Sequence, residues 1–331
     1  MLWVGFIICC AIIVFCGYKL SLYGDILAEK TGMGRTWIGL TLMATVTSLP
    51  ELVTGISSVT YADVPDIAVG DVVGSCVFNM LILAVLDALY RPTPISSKAH
   101  EGHVLSAGFG TLLIAIVAVS LFLGPRLAPF GWISTSTFLI IAVYFVAVRM
   151  IYQYEKRRIS AFIKEKAEEL QYAHVPLRSA VTNYAVNAAG VVGAAIFLPT
   201  IGAGLAEQTG LGQSFVGNIF IAVATSLPEV VVSLSAVKMG AIDLAIGNLF
   251  GSNIFNVFIL AIDDICFLPG PLFSFVSSSH IIPALSAIIM TTIAVIGLTY
   301  RAEKKPLFLA WDSLCILLVY VANIMLLYMY K

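Results

Sequence analysis

The sequence predicts an all-α membrane protein of ten transmembrane helices, arranged as two inverted five-helix repeats. Three observations predict it. Of 331 residues, 60% are hydrophobic and only 11% are charged, where a soluble chain carries about a quarter charged residues. The apolar residues gather into ten runs, each near the roughly 20 residues that a helix needs to cross a bilayer. One stretch also occurs twice unchanged, as Thr47-Ser48-Leu49-Pro50-Glu51 in the second run and Thr225-Ser226-Leu227-Pro228-Glu229 in the seventh. Five spans separate the copies. Five is odd, so the two halves cross the membrane in opposite senses.

The runs can be taken in order. The first, Leu2 to Ala28, has no basic segment ahead of it and no clear cleavage site, and is expected to be a retained span rather than a signal peptide. The second, Thr36 to Tyr61, carries the first Pro-Glu motif. The third, Ile67 to Tyr90, carries Gly74-Ser75-Cys76-Val77-Phe78-Asn79. Val104 to Leu123 and Ala128 to Tyr152 complete the first half, residues 1–152. Residues 153–179 are charged and form the expected connecting loop. Ile159, Phe162, Ile163 and Leu170 recur there at roughly helical spacing, which fits a short amphipathic surface helix or a solvated connector. The second half, residues 180–331, repeats the pattern: Ala180 to Ala206, Ser214 to Met239 with the second Pro-Glu motif, Ile242 to Phe267 with Gly251-Ser252-Asn253-Ile254-Phe255-Asn256, Ile281 to Tyr300 and Leu307 to Tyr328. No period-2 pattern of short strands supports a membrane β-barrel.

The duplication extends beyond the motifs. Ala28 to Gly34 matches Ala206 to Gly212 at an offset of 178, and Asp66 to Asp71 matches Asp243 to Asn248 at an offset of 177. Loop charge orients the chain. With the N-terminus outside, 15 Lys and Arg residues fall inside, including Arg149, Lys156, Arg157, Arg158 and Arg178 around the central loop. Only Arg126 and Lys331 fall outside. The positive-inside rule therefore predicts both termini outside and the central loop cytoplasmic; the expected location is the cell (plasma or inner) membrane.

A carboxylate beside a proline within a membrane segment is costly, and two in duplicated surroundings point to a cation site where the repeats meet. Pro50 and Pro228 have no amide hydrogen and disturb the preceding turn. Carbonyls near Ala44, Thr47, Ala222 and Thr225 then become available oxygens. The hydroxyls of Thr47, Ser48, Thr225 and Ser226 add more, and Glu51 and Glu229 add charge. Calcium takes six to eight such hard oxygens, and sodium accepts similar ligands. On the next helix Ser75 and Asn79 share a face, as do Ser252 and Asn256, while Gly74 and Gly251 allow close helix approach. The bland alternative is a pair of proline kinks with polar helix-packing contacts. The six cysteines show no CxxC spacing and read as small buried hydrophobes. No His/Cys cluster supports a soft-metal site. No cofactor is expected, and near-zero net charge suggests no nucleic-acid partner.

These residues resemble the alpha repeats of the sodium/calcium exchanger superfamily of cation antiporters. The matching segments run roughly from residue 39 to 87 and from 217 to 264. The resemblance implies ten helices in two inverted halves and exchange of calcium against sodium. It implies calcium ligation by Glu51 and Glu229. Thr47, Ser48, Ser75, Thr225, Ser226 and Ser252, with the carbonyls of Ala44 and Ala222, would complete calcium and flanking sodium sites.

The chain departs from the pattern at several positions. Val46 and Ala224 stand where the family has glycine, and Cys76 stands where the second half has Asn253. Asn79 and Asn256 are both amides, whereas sodium/calcium exchangers usually have an aspartate in one half. Two amides are also seen in calcium/proton exchangers, so calcium for protons is the second reading. Asp71 replaces the usual asparagine, seen here as Asn248, and lies on one stripe with Ser75 and Asn79. It is read either as a third acidic group in the core or as a water-facing helix-start aspartate. Asp87 and Asp264 are equivalent and are read as structural, and the four histidines as solvated. A passive channel and an intramembrane enzyme are the other function classes. No pore-loop filter supports the first and no H-E-x-x-H helix the second. The expected partners are the lipid bilayer and the transported ions.

Overall fold

The computed structural model describes residues 2–31, 44–90, 93–126, 129–162, 175–238, 240, 242–306 and 308–330. Among the described residues the chain is helical throughout, with one isolated β-bridge, Phe130 to Ile133, and no strand. The first half contains α1 (Leu2–Thr31), α2 (Ala44–Thr47 then Leu49–Ser57), α3 (Pro65–Leu89), α4 (His103–Leu123) and α5 (Thr135–Phe162). The second contains α6 (Leu177–Ala195 then Leu198–Thr209) and α7 (Gln213–Val216, a π-turn over Gly217–Ile221, then Ala222–Thr225 and Leu227–Lys238). It ends with α8 (Ile242–Cys266), α9 (Ile281–Tyr300) and α10 (Trp311–Met329). Among the described residues eight of these segments are long enough and apolar enough to cross a membrane, and α7 is a ninth, bent by 45° at Ser226. The counterpart of α7 in the repeat is α2; the expected start of that span, residues 36–43, lies outside the described residues.

Several boundaries differ from the sequence reading. α5 does not stop at Tyr152 but runs on to Phe162, because the Lys- and Arg-rich stretch after it contains no Gly or Pro to end a helix. The rest of the expected surface helix, with Ile163 and Leu170, lies outside the described residues. α6 is broken at Ile196–Phe197, just ahead of Pro199, where the proline ring disfavours continuation of the preceding turn. α10 begins at Trp311 rather than Leu307.

The repeat is visible in the packing. α1 lies on α6, α3 on α8 and α4 on α9, so each of these helices packs against its own equivalent. α3 and α8 are the most buried, and α2 and α7 flank them: α7 packs on α3 and α2 on α8. Glycine allows the closest approach. A Cβ at Gly74 would lie 2.3 Å from the carbonyl oxygen and 2.7 Å from the Cα of Asn218 in the π-turn of α7. Both are backbone atoms that cannot swing aside. Ala224 is buried; the side chain of Val46, its counterpart, lies outside the described set.

Candidate cation-binding centre

Both Pro-Glu motifs break their helix at the serine. Ser48 (φ −89°, ψ 14°) and Ser226 (φ −85°, ψ 8°) adopt nearly the same non-helical turn. A proline at 50 offers no amide to the carbonyl of Val46, and one at 228 none to that of Ala224, so the ladder loses a rung in each. The expectation that the carbonyls of Ala44 and Ala222 are freed is corrected. They accept the amides of Ser48 and Ser226, both at 3.1 Å. Each also has the following threonine hydroxyl, Thr47 or Thr225, at 3.3 Å. With the serine amide on one lone pair and the threonine hydroxyl within reach of the other, each carbonyl can join a ligand shell only when that hydroxyl turns to another acceptor.

The break turns each serine toward the opposite half. Ser226 Oγ donates to Glu51 Oε1 at 3.0 Å, and Ser48 Oγ donates to Glu229 Oε1 at 3.1 Å. The serine of each motif therefore holds the glutamate of the other. Ser226 also reaches Ser75 Oγ at 2.9 Å, and Ser75 lies 3.4 Å from Glu51 Oε1 and 3.5 Å from the Ala222 carbonyl. Ser252 is 3.4 Å from Thr47. Glu51, Glu229, Asp71, Ser75 and Ser252 are all fully buried.

Asp71 is not at the surface, which excludes the water-facing reading. Its Oδ1 accepts from Thr225 Oγ1 at 2.7 Å. The equivalent contact in the other half, Thr47 Oγ1 to Asn248 Oδ1, is 3.4 Å. Thr225 has one proton to give, and the short contact to a carboxylate takes it in preference to the Ile221 carbonyl at 3.1 Å. The two asparagines are not equivalent either. Asn79 Nδ2 donates to Asn253 Oδ1 at 2.9 Å, while neither amide atom of Asn256 has a partner among the described residues. Cys76 and Asn253, which correspond in the repeat, meet each other: Cys76 Sγ lies 3.9 Å from the Asn253 carbonyl, and Asn253 Nδ2 lies 3.4 Å from that of Cys76.

Five oxygens along this interface are buried and lack a hydrogen-bond partner among the described residues: Glu51 Oε2, Glu229 Oε2, Asp71 Oδ2, Asn79 Oδ1 and Asn256 Oδ1. Buried polar atoms are rarely left so, and a cation coordinated by oxygen would satisfy them. Among the described residues no three His, Cys, Asp or Glu side chains close on one metal position, so neutral oxygens have to supply much of any ligand shell.

Sequence reasoning missed other polar residues of this region. Asp263 is fully buried with neither oxygen partnered, and Asn248 Nδ2 reaches Ser233 Oγ at 3.3 Å. The expectation of solvated histidines fails for His103 and His280, which are buried. His103 Nε2 pairs with Asp243 at 3.0 Å and His280 Nε2 with Asp66 at 2.9 Å. These are equivalent pairs, each joining one half to the other; the offset of 177 that relates both residues could have found them. His174 lies outside the described residues. Asp87 and Asp264 do hold loops in place. Asp87 accepts the amides of Ile95 and Ala310 and pairs with Lys305 at 3.0 Å. Asp264 accepts from Ser134, Thr137 and the amide of Leu272.

Comparison with known proteins shows the family and the fold. The family model for the sodium/calcium exchanger protein matches residues 1–152 and 180–329. The chain belongs to the sodium/calcium exchanger family. It is therefore an integral membrane ion exchanger and not an enzyme. It is 27% identical to the sodium/calcium exchanger MaX1 of Methanosarcina acetivorans, over 91% of each chain. It is 28% identical to the inner membrane protein YrbG of Escherichia coli, over 75% of this chain and 74% of that one. Its fold is similar to that of the sodium-calcium exchanger NCX_Mj, at a TM-score of 0.63 and 22% identity over 98% of each chain. The ten-helix inverted-repeat fold expected from the sequence is thus the fold of this family.

Proposed function

We propose that this exchanger moves calcium against sodium by alternating access, with the cations held between α2, α3, α7 and α8. The observation that carries the reading is the crosswise pair: Ser226 on Glu51 and Ser48 on Glu229. Two carboxylates from inverted repeats are brought into one buried polar network, each keeping one oxygen unpartnered. Glu51 and Glu229 are proposed as the calcium ligands. Thr47, Ser48, Ser75, Thr225, Ser226 and Ser252, the carbonyls of Ala44 and Ala222, and the side-chain oxygens of Asn79, Asn256 and Asp71 are proposed as the remaining calcium and sodium ligands. The name of the relative MaX1 supports sodium as the coupling ion.

The second reading is exchange of calcium for protons, and one observation favours it: Asn79 and Asn256 are both amides. In either reading the halves are residues 1–152 and 180–331, joined by a cytoplasmic connector, with both termini outside and the chain in the cell membrane. The inverted repeat supports the transport cycle, because each half can take up the conformation of the other. Calcium uptake into proteoliposomes, driven separately by a sodium gradient and by a pH gradient, tests the proposal. Uptake on the sodium gradient alone is expected. Full uptake on a pH gradient in sodium-free solution would establish the second reading, and no uptake on either would refute both.

A further inference from the structure

The glutamate centre does not account for Asp263. This carboxylate is fully buried in α8, and among the described residues neither of its oxygens has a hydrogen-bond donor. No Lys, Arg or His pairs with it among the described residues. The groups acting on it electrostatically are Asp71 on α3 and Asp264 on its own helix, with the Cys266 thiol nearby. None of these supplies positive charge. An ionised carboxylate so placed is uncompensated, and proteins do not bury one without a counter-charge or a proton.

Its surroundings extend the polar seam of the exchange site. On α8, Asn248, Ser252, Asn256 and Asp263 recur at helical spacing along one face. On α2, Glu51, Thr54 and Gly55 do the same, and the two helices are packed together. The Asp263 carboxylate rests on Gly55: a Cβ there would lie 2.4 Å and 2.6 Å from its two oxygens. Thr54, the residue before that glycine, is fully buried, and its hydroxyl is also without a partner. The repeat offers no counterpart. Leu86 stands where the first half would have the aspartate, and Val232 and Ser233 stand where the second half would have Thr54 and Gly55. Leu86 is buried as an ordinary core residue.

We infer that Asp263, seated on Gly55 beside Thr54, forms a second binding site for one positive charge, a proton or a small monovalent cation, distinct from the glutamate centre. Its place in a transport cycle rests on the exchanger reading; its occupancy does not. In the packed state the bound charge neutralises the carboxylate. Separation of α2 from α8 would admit water and release that charge, so the site would couple occupancy to movement on one side of the pseudo-two-fold axis only.

The test uses the purified full chain, with two readouts on wild type and Asp263→Asn: equilibrium binding of radioactive sodium, and the infrared band of a protonated carboxylic acid. If sodium fills the site, Asp263→Asn binds one fewer sodium ion at saturation. If a proton fills it, the sodium count is unchanged and a carboxylic acid band present in wild type disappears. Gly55→Ala is the second variant, in case Asp263→Asn does not fold; its methyl would intrude on the carboxylate and should produce the same loss. Identical sodium counts and identical bands in wild type and variant overturn the site. Proteoliposome flux separates this from the proposed function. Calcium exchange with both readouts unmoved by Asp263→Asn refutes the site alone. Loss of a sodium ion or of the band in a chain that moves no calcium refutes the exchange reading alone.

Discussion

Replacing Asp71 by asparagine makes the two halves alike at a position where their polar contacts differ. The structure allows the consequence to be worked out. Thr225 Oγ1 donates to Asp71 Oδ1 at 2.7 Å, whereas the equivalent bond to Asn248 is 3.4 Å. A hydrogen bond to a charged acceptor contributes about 1.5–3 kcal/mol and a neutral one about 0.5–1.5, so the bond itself weakens by about 1–1.5 kcal/mol. The charge matters more. A unit charge about 4–8 Å from a bound monovalent cation interacts by about 2–4 kcal/mol at an effective dielectric constant near 20. Its removal should therefore weaken cation binding by roughly one to three orders of magnitude, at 1.4 kcal/mol per tenfold. The fold should survive, because asparagine has the same shape and already occupies the equivalent position. The assay is calcium uptake into proteoliposomes over a range of calcium and of coupling-ion concentrations, with Asn248→Asp as the reciprocal variant. Asp71→Asn should raise the half-saturating cation concentration at least tenfold and change the coupling-ion dependence. Unaltered apparent affinities and unaltered coupling in Asp71→Asn would refute the assignment of this residue to the transport path.

Three further outcomes are expected. Glu51→Gln and Glu229→Gln should each insert into the membrane normally yet lose nearly all calcium exchange, measured as uptake per unit of purified protein; wild-type flux in both would remove the glutamates from the site. Asn256→Asp, which places a carboxylate where neither amide atom now has a partner, should strengthen sodium dependence, read as the slope of uptake against sodium concentration. Gly74→Ala drives a methyl into the Asn218 backbone and should cost about 1–3 kcal/mol, the usual range for overpacking, seen as a lowered Tm in detergent; an unchanged Tm would show that α3 and α7 can part without penalty.

The spans and the inverted symmetry were legible because hydropathy and duplication are properties of the chain alone. The glutamates were legible because a Pro-Glu pair in an apolar run has few structural uses. What stayed hidden depends on rotation about helix axes. Asp263 and Asp264 are neighbours in sequence but about 100° apart around α8. One faces Gly55 and has no donor, while the other turns out to the loop amides of Ser134 and Leu272. Only Asp264 has an acidic counterpart, Asp87, so symmetry drew attention to the residue with the structural role. The histidines were misjudged for a related reason. A position at a helix end suggests solvent, but the aspartates that pair with the buried His103 and His280 lie 140 and 214 residues away. The bend at Ser226 was implied by Pro228, whereas the direction it gives the serine, toward the other half's glutamate, required the packed structure.

The differences between the halves bear directly on how an exchanger with an inverted repeat could work. Where the halves agree, as in the Pro-Glu motifs, the crosswise serines and the two His–Asp pairs, the symmetry supplies two conformations of equal construction. Equal construction alone would give the inward- and outward-facing states the same affinity for every ion. A ligand shifts an equilibrium only by binding the two states differently. The carboxylate of Asp71 corresponds to the amide of Asn248, the thiol of Cys76 to the amide of Asn253, and Asp263 to Leu86. The buried carboxylates of Asp71 and Asp263 thus have no acidic counterpart in the other half. When the halves exchange conformations, these groups do not exchange places, and a cation or proton near them meets a different field in each state. In the proposed cycle this chemical inequality, built on a symmetric scaffold, is what gives the two facing states different ion preferences.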